Sequence, residues 1–249
     1  MTGEENLAKK RFEELAERSY SNGIYTFTEF LSPGKQALLR ATVTGVPYSF
    51  FGGFDGAEKA VAVFGSEELC GYAFEPPVTF IKIEPSSSKF SDDLSHRDFL
   101  GSIISLGIKR STLGDIVVKD NCGYTVCFEN IADYICNNLL SIKHTSVRCS
   151  VLSEFPKDII PAPVESEFVV ASERLDSVVS AIYKISRSES RNLVEHEKVA
   201  VGGIPVTNAD YQPKEDDIIT VRGHGKFIYV GLERETKKGR LRCKAKIYR

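Results

Sequence analysis

The side chains best placed to do chemistry in this 249-residue sequence are cations that recur at fixed spacing near its C-terminal end. Arg174 precedes a run in which Leu175, Val178, Val179 and Ile182 fall at i, i+3, i+4 and i+7, so it stands at the start of an amphipathic helix. Ser186-Arg187-Ser188-Glu189 reads as a capping box opening a second helix, with Ser186 accepting from the Glu189 amide and the Glu189 carboxylate returning the bond. That start puts Arg187 and Arg191 on one helix face. Two helices on a small sheet would gather Arg174, Arg187, Arg191 and Lys198 in one neighbourhood, where guanidinium forks bind phosphate oxygens in pairs. Downstream, Arg222-Gly223-His224-Gly225-Lys226 joins two strand-like runs, and its glycines let backbone amides approach a phosphate. The same arginines have another use open to them, pairing with Glu189 or Glu195 on a solvated helix.

Charge is distributed unevenly along the chain. The formal net charge is -2, yet residues 172–249 hold 16 Lys and Arg against 11 Asp and Glu, and residues 1–171 hold 16 against 23. Such a positive end on an acidic chain suits a polyanion partner. From Leu241 to Ile247 strict alternation makes one strand face apolar and the other basic, with Arg242, Lys244 and Lys246 on the latter. Lys237, Lys238 and Arg240 in the preceding turn extend the positive surface. An edge strand guarded by lysines against aggregation would show the same pattern without RNA.

Composition removes several function classes. Six scattered cysteines form no CxxC pair and have no close His partner, which argues against a zinc module and a dense disulfide framework. No Ser/His/Asp set or carboxylate pair stands out among four scattered His, so no catalytic residue, metal or cofactor is expected. Mean hydropathy is -0.16, and no uncharged apolar run nears the ~18 residues of a membrane span. The acidic N-terminus is unlike a signal or transit peptide, so the expected location is the cytoplasm. Gly52-Gly53-Phe54-Asp55-Gly56 is glycine-rich, but no GK[ST] follows it, so it is not read as a phosphate loop.

The elements that must position these groups suggest an α+β chain of three small domains. Residues 1–74 read as a mixed α/β unit: a helix over 4–20 with Leu7, Phe12, Leu15 and Ala16 as its apolar stripe, a second helix capped at Ser32, and short strands around the glycine-rich turn. Residues 75–155 read as β-α-β-β-α-β, the ferredoxin-like order that RNA-recognition-motif (RRM) domains share. The third strand of that unit, Gly123–Phe128, is poor in the aromatics that stack bases, so its sheet face is a weak RNA surface. Arg97, Lys109 and Arg110 flank its first helix as secondary phosphate contacts. Three prolines between 156 and 163 mark a stiff linker over 156–171.

Residues 172–229 resemble the S4 RNA-binding domain, through Arg-Leu-Asp at 174–176, Ser186-Arg187, Arg191, the Val199–Val206 hairpin and Asp217-x-Ile-x-Val-Arg-Gly-x-Gly-Lys226. Glu197 and Asp216 stand where that family usually has Gly, and Gly202 where it usually has Asn. Ser49–Glu58, Leu94–Arg110, Gly114-Asp115-Ile116 and Ile131–Ile135 extend the resemblance, over nearly the full length, to the YlmH-type family of bacterial S4-domain proteins. This resemblance implies an S4 (αL-like) module at 172–249 with a basic strand extension. It also implies a non-enzymatic, monomeric factor that contacts rRNA and tRNA on large ribosomal subunits after a stall, in translation quality control, with a link to cell division. The alternatives are an S4-bearing RNA-modifying enzyme, a pseudouridine synthase or rRNA methyltransferase, and a protein-interaction adaptor. Ser177-Val178-Val179-Ser180 after Asp176 departs from the synthase pattern, and no Rossmann-type glycine loop serves a methyltransferase.

Overall fold

A computed structural model describes residues 3–87, 91–160, 162–236 and 239–248, in two compact units, residues 1–160 and 161–249. The first unit opens with α1 (Gly3–Asn22), β1 (Thr26–Leu31), α2 (Pro33–Thr42), β2 (Tyr48–Phe51), β3 (Ala60–Phe64) and the single turn α3 (Glu67–Cys70). Phe12, Leu15 and Ala16 of α1 are buried, whereas Leu7 is 72% exposed and stands outside the stripe expected of it. The three strands form an antiparallel sheet of order β1-β3-β2.

The chain continues through β4 (Val78–Pro85), α4 (His96–Ser105), β5 (Leu113–Lys119), β6 (Cys122–Phe128), α5 (Glu129–Asn138), β7 (Ser141–Ile142) and β8 (Thr145–Leu152). These strands pair antiparallel in the order β5-β6-β4-β8-β7. Local chemistry sets the element ends. Ser95 and Asp98 close a capping box at the start of α4, and Asp120 and Asn121, both at positive φ, make the two-residue turn between β5 and β6. Phe99 and Ile103 of α4 and Ala132 and Ile135 of α5 pack on Ile81, Ile83 and Cys127, which fixes both helices to one face of this sheet.

The other face is covered from within the same unit. Phe80, Tyr124, Val126 and Phe128 pack with Phe30, Val61 and Val63 of the first sheet and with Phe155 and Ile159 beyond β8. Phe155 stacks on Phe54 at 4.2 Å and meets Phe80 edge-on at 5.7 Å. The glycine-rich turn is part of this layer, since a Cβ on Gly53 would stand 2.8 Å from Val126 and 2.9 Å from Phe80.

The second unit comprises β9 (Val164–Val170), α6 (Leu175–Tyr183), α7 (Arg187–Glu195), β10 (Val199–Val201), β11 (Ile204–Pro205), β12 (Ile218–Val221), β13 (Gly225–Glu235) and β14 (Leu241–Tyr248). Its sheet runs β11-β10-β12-β13-β14-β9. Leu175, Val178, Val179, Leu193 and Val194 of the two helices bury against Val199, Ile219, Phe227 and Ala245. Residues 164–170, read from sequence as part of a linker, are a strand along β14, because alternation after Pro163 turns Phe168 and Val170 into the core and Glu165 and Glu167 outward. Helix α7 ends in a Schellman turn, the Glu197 amide bonding Val194 and the Lys198 amide bonding Leu193. Glu197 and Asp216 both take positive φ, 57° and 65°, so the turns keep their left-handed geometry without glycine.

Gly53 and Gly56 sit in one turn at φ +91° and +84°, but only Gly53 is crowded. Gly56→Ala should therefore cost about 1 kcal/mol, the backbone strain alone. Gly53→Ala should cost about 2–4 kcal/mol, because overpacking adds to that strain. Urea midpoints of the two variants check this contrast.

Candidate nucleic-acid interface

The helix pair of the second unit is organised around one carboxylate. Asp176, in the first turn of α6, is 3% exposed. Arg174 reaches it through Nε at 3.1 Å and Nη2 at 3.2 Å, and Arg187 of α7 through Nη2 at 3.2 Å. Arg174 also pairs with Asp210. The Ser190 hydroxyl donates to the Asp176 carbonyl at 2.7 Å, which locks the two helices together at the same point. Burial pushes the Asp176 pKa up, but the Arg174 hydrogen bond and the Arg187 and Arg174 charges outweigh it and hold the carboxyl below its ordinary value. Arg191 lies on α7 with Nε on Glu195 at 2.7 Å, close enough to feel the charges of Asp210 and Asp176.

Arg174, Arg187 and Arg191 are thus brought together as expected, though each also has a carboxylate partner. Arg187 and Arg191 remain 55% and 59% exposed in their side chains. The Arg191–Glu195 pair, exposed on both sides, contributes roughly 0–1 kcal/mol, so a phosphate can replace Glu195 at little cost, whereas Arg187 stays on the buried Asp176 and has its exposed part left for phosphate. The α6 amides are not available to an anion: Leu175 donates to the Tyr211 carbonyl and Asp176 to that of Ala209. Ser186 caps α7, its hydroxyl accepting from the Glu189 amide at 3.1 Å.

Lys198 does not join this cluster. It follows the far end of α7, beyond about 13 Å of helix at 1.5 Å per residue. Its carbonyl instead accepts from the Arg222 amide at 2.8 Å, which places it beside the β12–β13 turn. There Lys198, Arg222 and Gly223 are exposed, and Lys226 lies over the Tyr248 ring at 4.3 Å. The second unit therefore presents two basic groups, one at the α6–α7 start and one at this turn.

Strand β14 corrects a sequence expectation. It is not a free basic edge, because β9 lies along it and carries acid opposite its cations. Arg242 pairs with Glu167 at 3.0 Å, and Lys244 with Glu233 at 3.3 Å and Glu165 at 3.6 Å. Arg240 is exposed in the turn before β14, where its amide donates to the Thr236 hydroxyl. Lys237 and Lys238 lie outside the described residues.

In the first unit, Arg97, Lys109 and Arg110 are exposed at the two ends of α4. Lys59 and His96, which sequence reading left out of this group, share the neighbourhood of Arg110. Burial and the Arg110 charge lower the Lys59 pKa. His96 is lowered first by burial, with Asp115 opposing and Lys59 and Arg110 adding to it. Asp115 accepts from the amides of Glu58 and Lys59, tying the glycine-rich turn to β5. The five-stranded sheet leaves its aromatic face under Phe155 and the first sheet, so base stacking on that face is blocked. Among the described residues no group of three His, Cys, Asp or Glu is placed to hold a metal, and no helix is long and apolar enough to cross a membrane.

Comparison with known proteins matches two parts of the chain to families. Residues 74–155 match the family described as "Putative RNA-binding domain in YlmH", and residues 173–219 match the S4 domain. The ribosome-associated protein quality control protein P2 of Bacillus subtilis (strain 168) is 29% identical over 222 residues, 86% of this chain and 84% of that protein. The small ribosomal subunit protein uS4 of Dichelobacter nodosus is 41% identical over 59 residues, 23% of this chain and 29% of that protein. A solved structure of the cell division protein ylmH from Streptococcus pneumoniae has a TM-score of 0.48 at 21% identity, covering 61% of this chain and 93% of that one.

Because the Asp176 carboxyl stays ionised to a lower pH in the folded than in the unfolded chain, its pairing stabilises the unit at neutral pH. That contribution is lost as pH falls below the ordinary carboxylate range. Asp176→Asn should cost about 2 kcal/mol at pH 7, less than a fully buried pair because Arg187 is half in solvent. The gap from wild type should close as pH falls below the ordinary carboxylate range, as denaturant unfolding in increasingly acid buffer would show.

Proposed function

For a chain that belongs to the YlmH-type S4-domain proteins, with the YlmH RNA-binding domain at 74–155 and an S4 domain at 173–219, we propose a non-enzymatic role in gripping structured RNA on the ribosome. The finer reading is contact with rRNA and tRNA on the large subunit, by a cytoplasmic monomer, in quality control of stalled translation. The name of the Bacillus subtilis relative supports the ribosomal setting, and a link to cell division stays within the proposal as what the sequence resemblance implies.

One observation carries the reading: Arg174 and Arg187 converge on the buried Asp176 carboxylate, with Arg191 beside them on Glu195, and Arg187 and Arg191 are more than half exposed. The carboxylate aims the guanidinium groups and leaves N–H donors over for phosphate oxygens. In this proposal Arg174, Ser186, Arg187 and Arg191 form the first phosphate contact. Lys198, Arg222, Gly223 and Lys226 form the second. Arg240, exposed in the turn before β14, is a further candidate contact, as are Lys237 and Lys238 on their charge alone, and Arg242 and Lys244 act at most by exchanging their carboxylates. The 75–155 segment is proposed as an RRM-like unit that meets RNA through Arg97, Lys109 and Arg110 at its helix ends and not through its sheet.

Binding of the full chain to a labelled rRNA fragment should weaken steeply between 50 and 400 mM salt, by about -0.7 to -0.9 in log K per log salt for each phosphate neutralised. Arg187→Gln with Arg191→Gln should flatten that slope by roughly 1.5, with the far-ultraviolet circular dichroism unchanged. A slope near zero in the wild type, or the same slope in the double variant, would contradict the proposal.

A further inference from the structure

The turn between β12 and β13 has a fixed shape. The His224 amide donates to the Val221 carbonyl at 3.0 Å, and the flanking glycines Gly223 and Gly225 take φ of +86° and +127°. His224 is exposed, yet its ring is not loose: it lies 5.3 Å from the Tyr183 ring at 44°. Tyr183 closes α6 and meets the fully buried Phe227 edge-on at 6.0 Å, so the imidazole is braced by the core of the unit. The Tyr183 hydroxyl is buried without a hydrogen-bond partner among the described residues. Tyr183 is therefore kept here for its ring, not for a bond its hydroxyl makes.

Around this braced ring stand cations. Arg222 is two residues before it, Lys198 is joined to Arg222 through the backbone, and Lys226 two residues after is held over Tyr248. A rigid, exposed heteroaromatic ring between positive groups offers a π face for one base and charge for the phosphates on either side of it. A continuous duplex has no free base face to offer in return.

We propose that the 222–226 turn is a binding site for one unpaired nucleotide of RNA, with the base stacked on His224 and the flanking phosphates held by Arg222, Lys198 and Lys226. This rests on the RNA-binding reading above and deepens it, from a grip on phosphates to selection of RNA that presents a bulged or looped base.

The test titrates the full chain with two labelled RNA hairpins of equal phosphate number, one fully paired and one with a single-nucleotide bulge. Wild type should favour the bulged hairpin about tenfold, within the range that stacking on one aromatic side chain provides. His224→Ala should bring the two affinities within about twofold. His224→Phe should keep the preference, because the stacking face remains. Tyr183→Phe should keep it too, since it removes only an unpartnered hydroxyl. Equal binding of both hairpins by wild type, an equal loss on both in His224→Ala, or a His224→Phe variant that behaves like alanine would overturn the site while leaving phosphate binding intact. Failure to bind either hairpin would overturn the RNA-binding reading itself, and this site with it.

Discussion

Asp176 is the constraint from which the basic surface of the second unit follows. A carboxylate that is 3% exposed must be compensated, and burial this deep is tolerated because Arg174 and Arg187 come to it from two helices. The same residue receives the Ser190 hydroxyl on its carbonyl, so helix packing and guanidinium placement are one event. Free arginines on a surface would sample many rotamers. Arginines anchored by one edge lose that freedom at folding and hold their remaining donors in fixed directions.

Net charge alone misrepresents this surface. The run of cations from Arg240 to Lys246 looks like its most positive part, yet the acidic strand β9 lies beside it and Glu165, Glu167 and Glu233 take up Arg242 and Lys244. The α6–α7 arginines also have carboxylate partners, but the exposed Arg191–Glu195 pair is weak and replaceable, and Arg187, held on Asp176, still has more than half of its side chain in water. What separates a grip from a ladder of ion pairs is therefore exposure and geometry, not the number of lysines.

Much of this arrangement was legible in the sequence, for physical reasons. The 3.6-residue periodicity of Leu175, Val178, Val179 and Ile182 and the Ser186 cap placed both helices, and the four-residue spacing of Arg187 and Arg191 placed them on one face. The order of elements between 78 and 152 followed from the alternation of β and α patterns there. Long-range pairing was not legible. Nothing local announces that Val164–Val170 will lie against β14, because the three prolines before it read as a stiff linker and its partner strand is more than 70 positions away. The burial of Phe80, Tyr124 and Val126 beneath Phe155 and the glycine-rich turn also depends on contacts between distant segments. His224 was passed over because its value lies in a ring, Tyr183, that is 41 positions away in sequence.

Crosslinking of the full chain to ribosomes, with mass spectrometric mapping of the peptides joined to RNA, addresses the central claim most directly. Crosslinks concentrated at 184–198 and 222–226 are the expected result, with the acidic strand 164–170 silent. Crosslinks confined to residues 1–160, or none that depend on Arg187 and Arg191, would contradict the account.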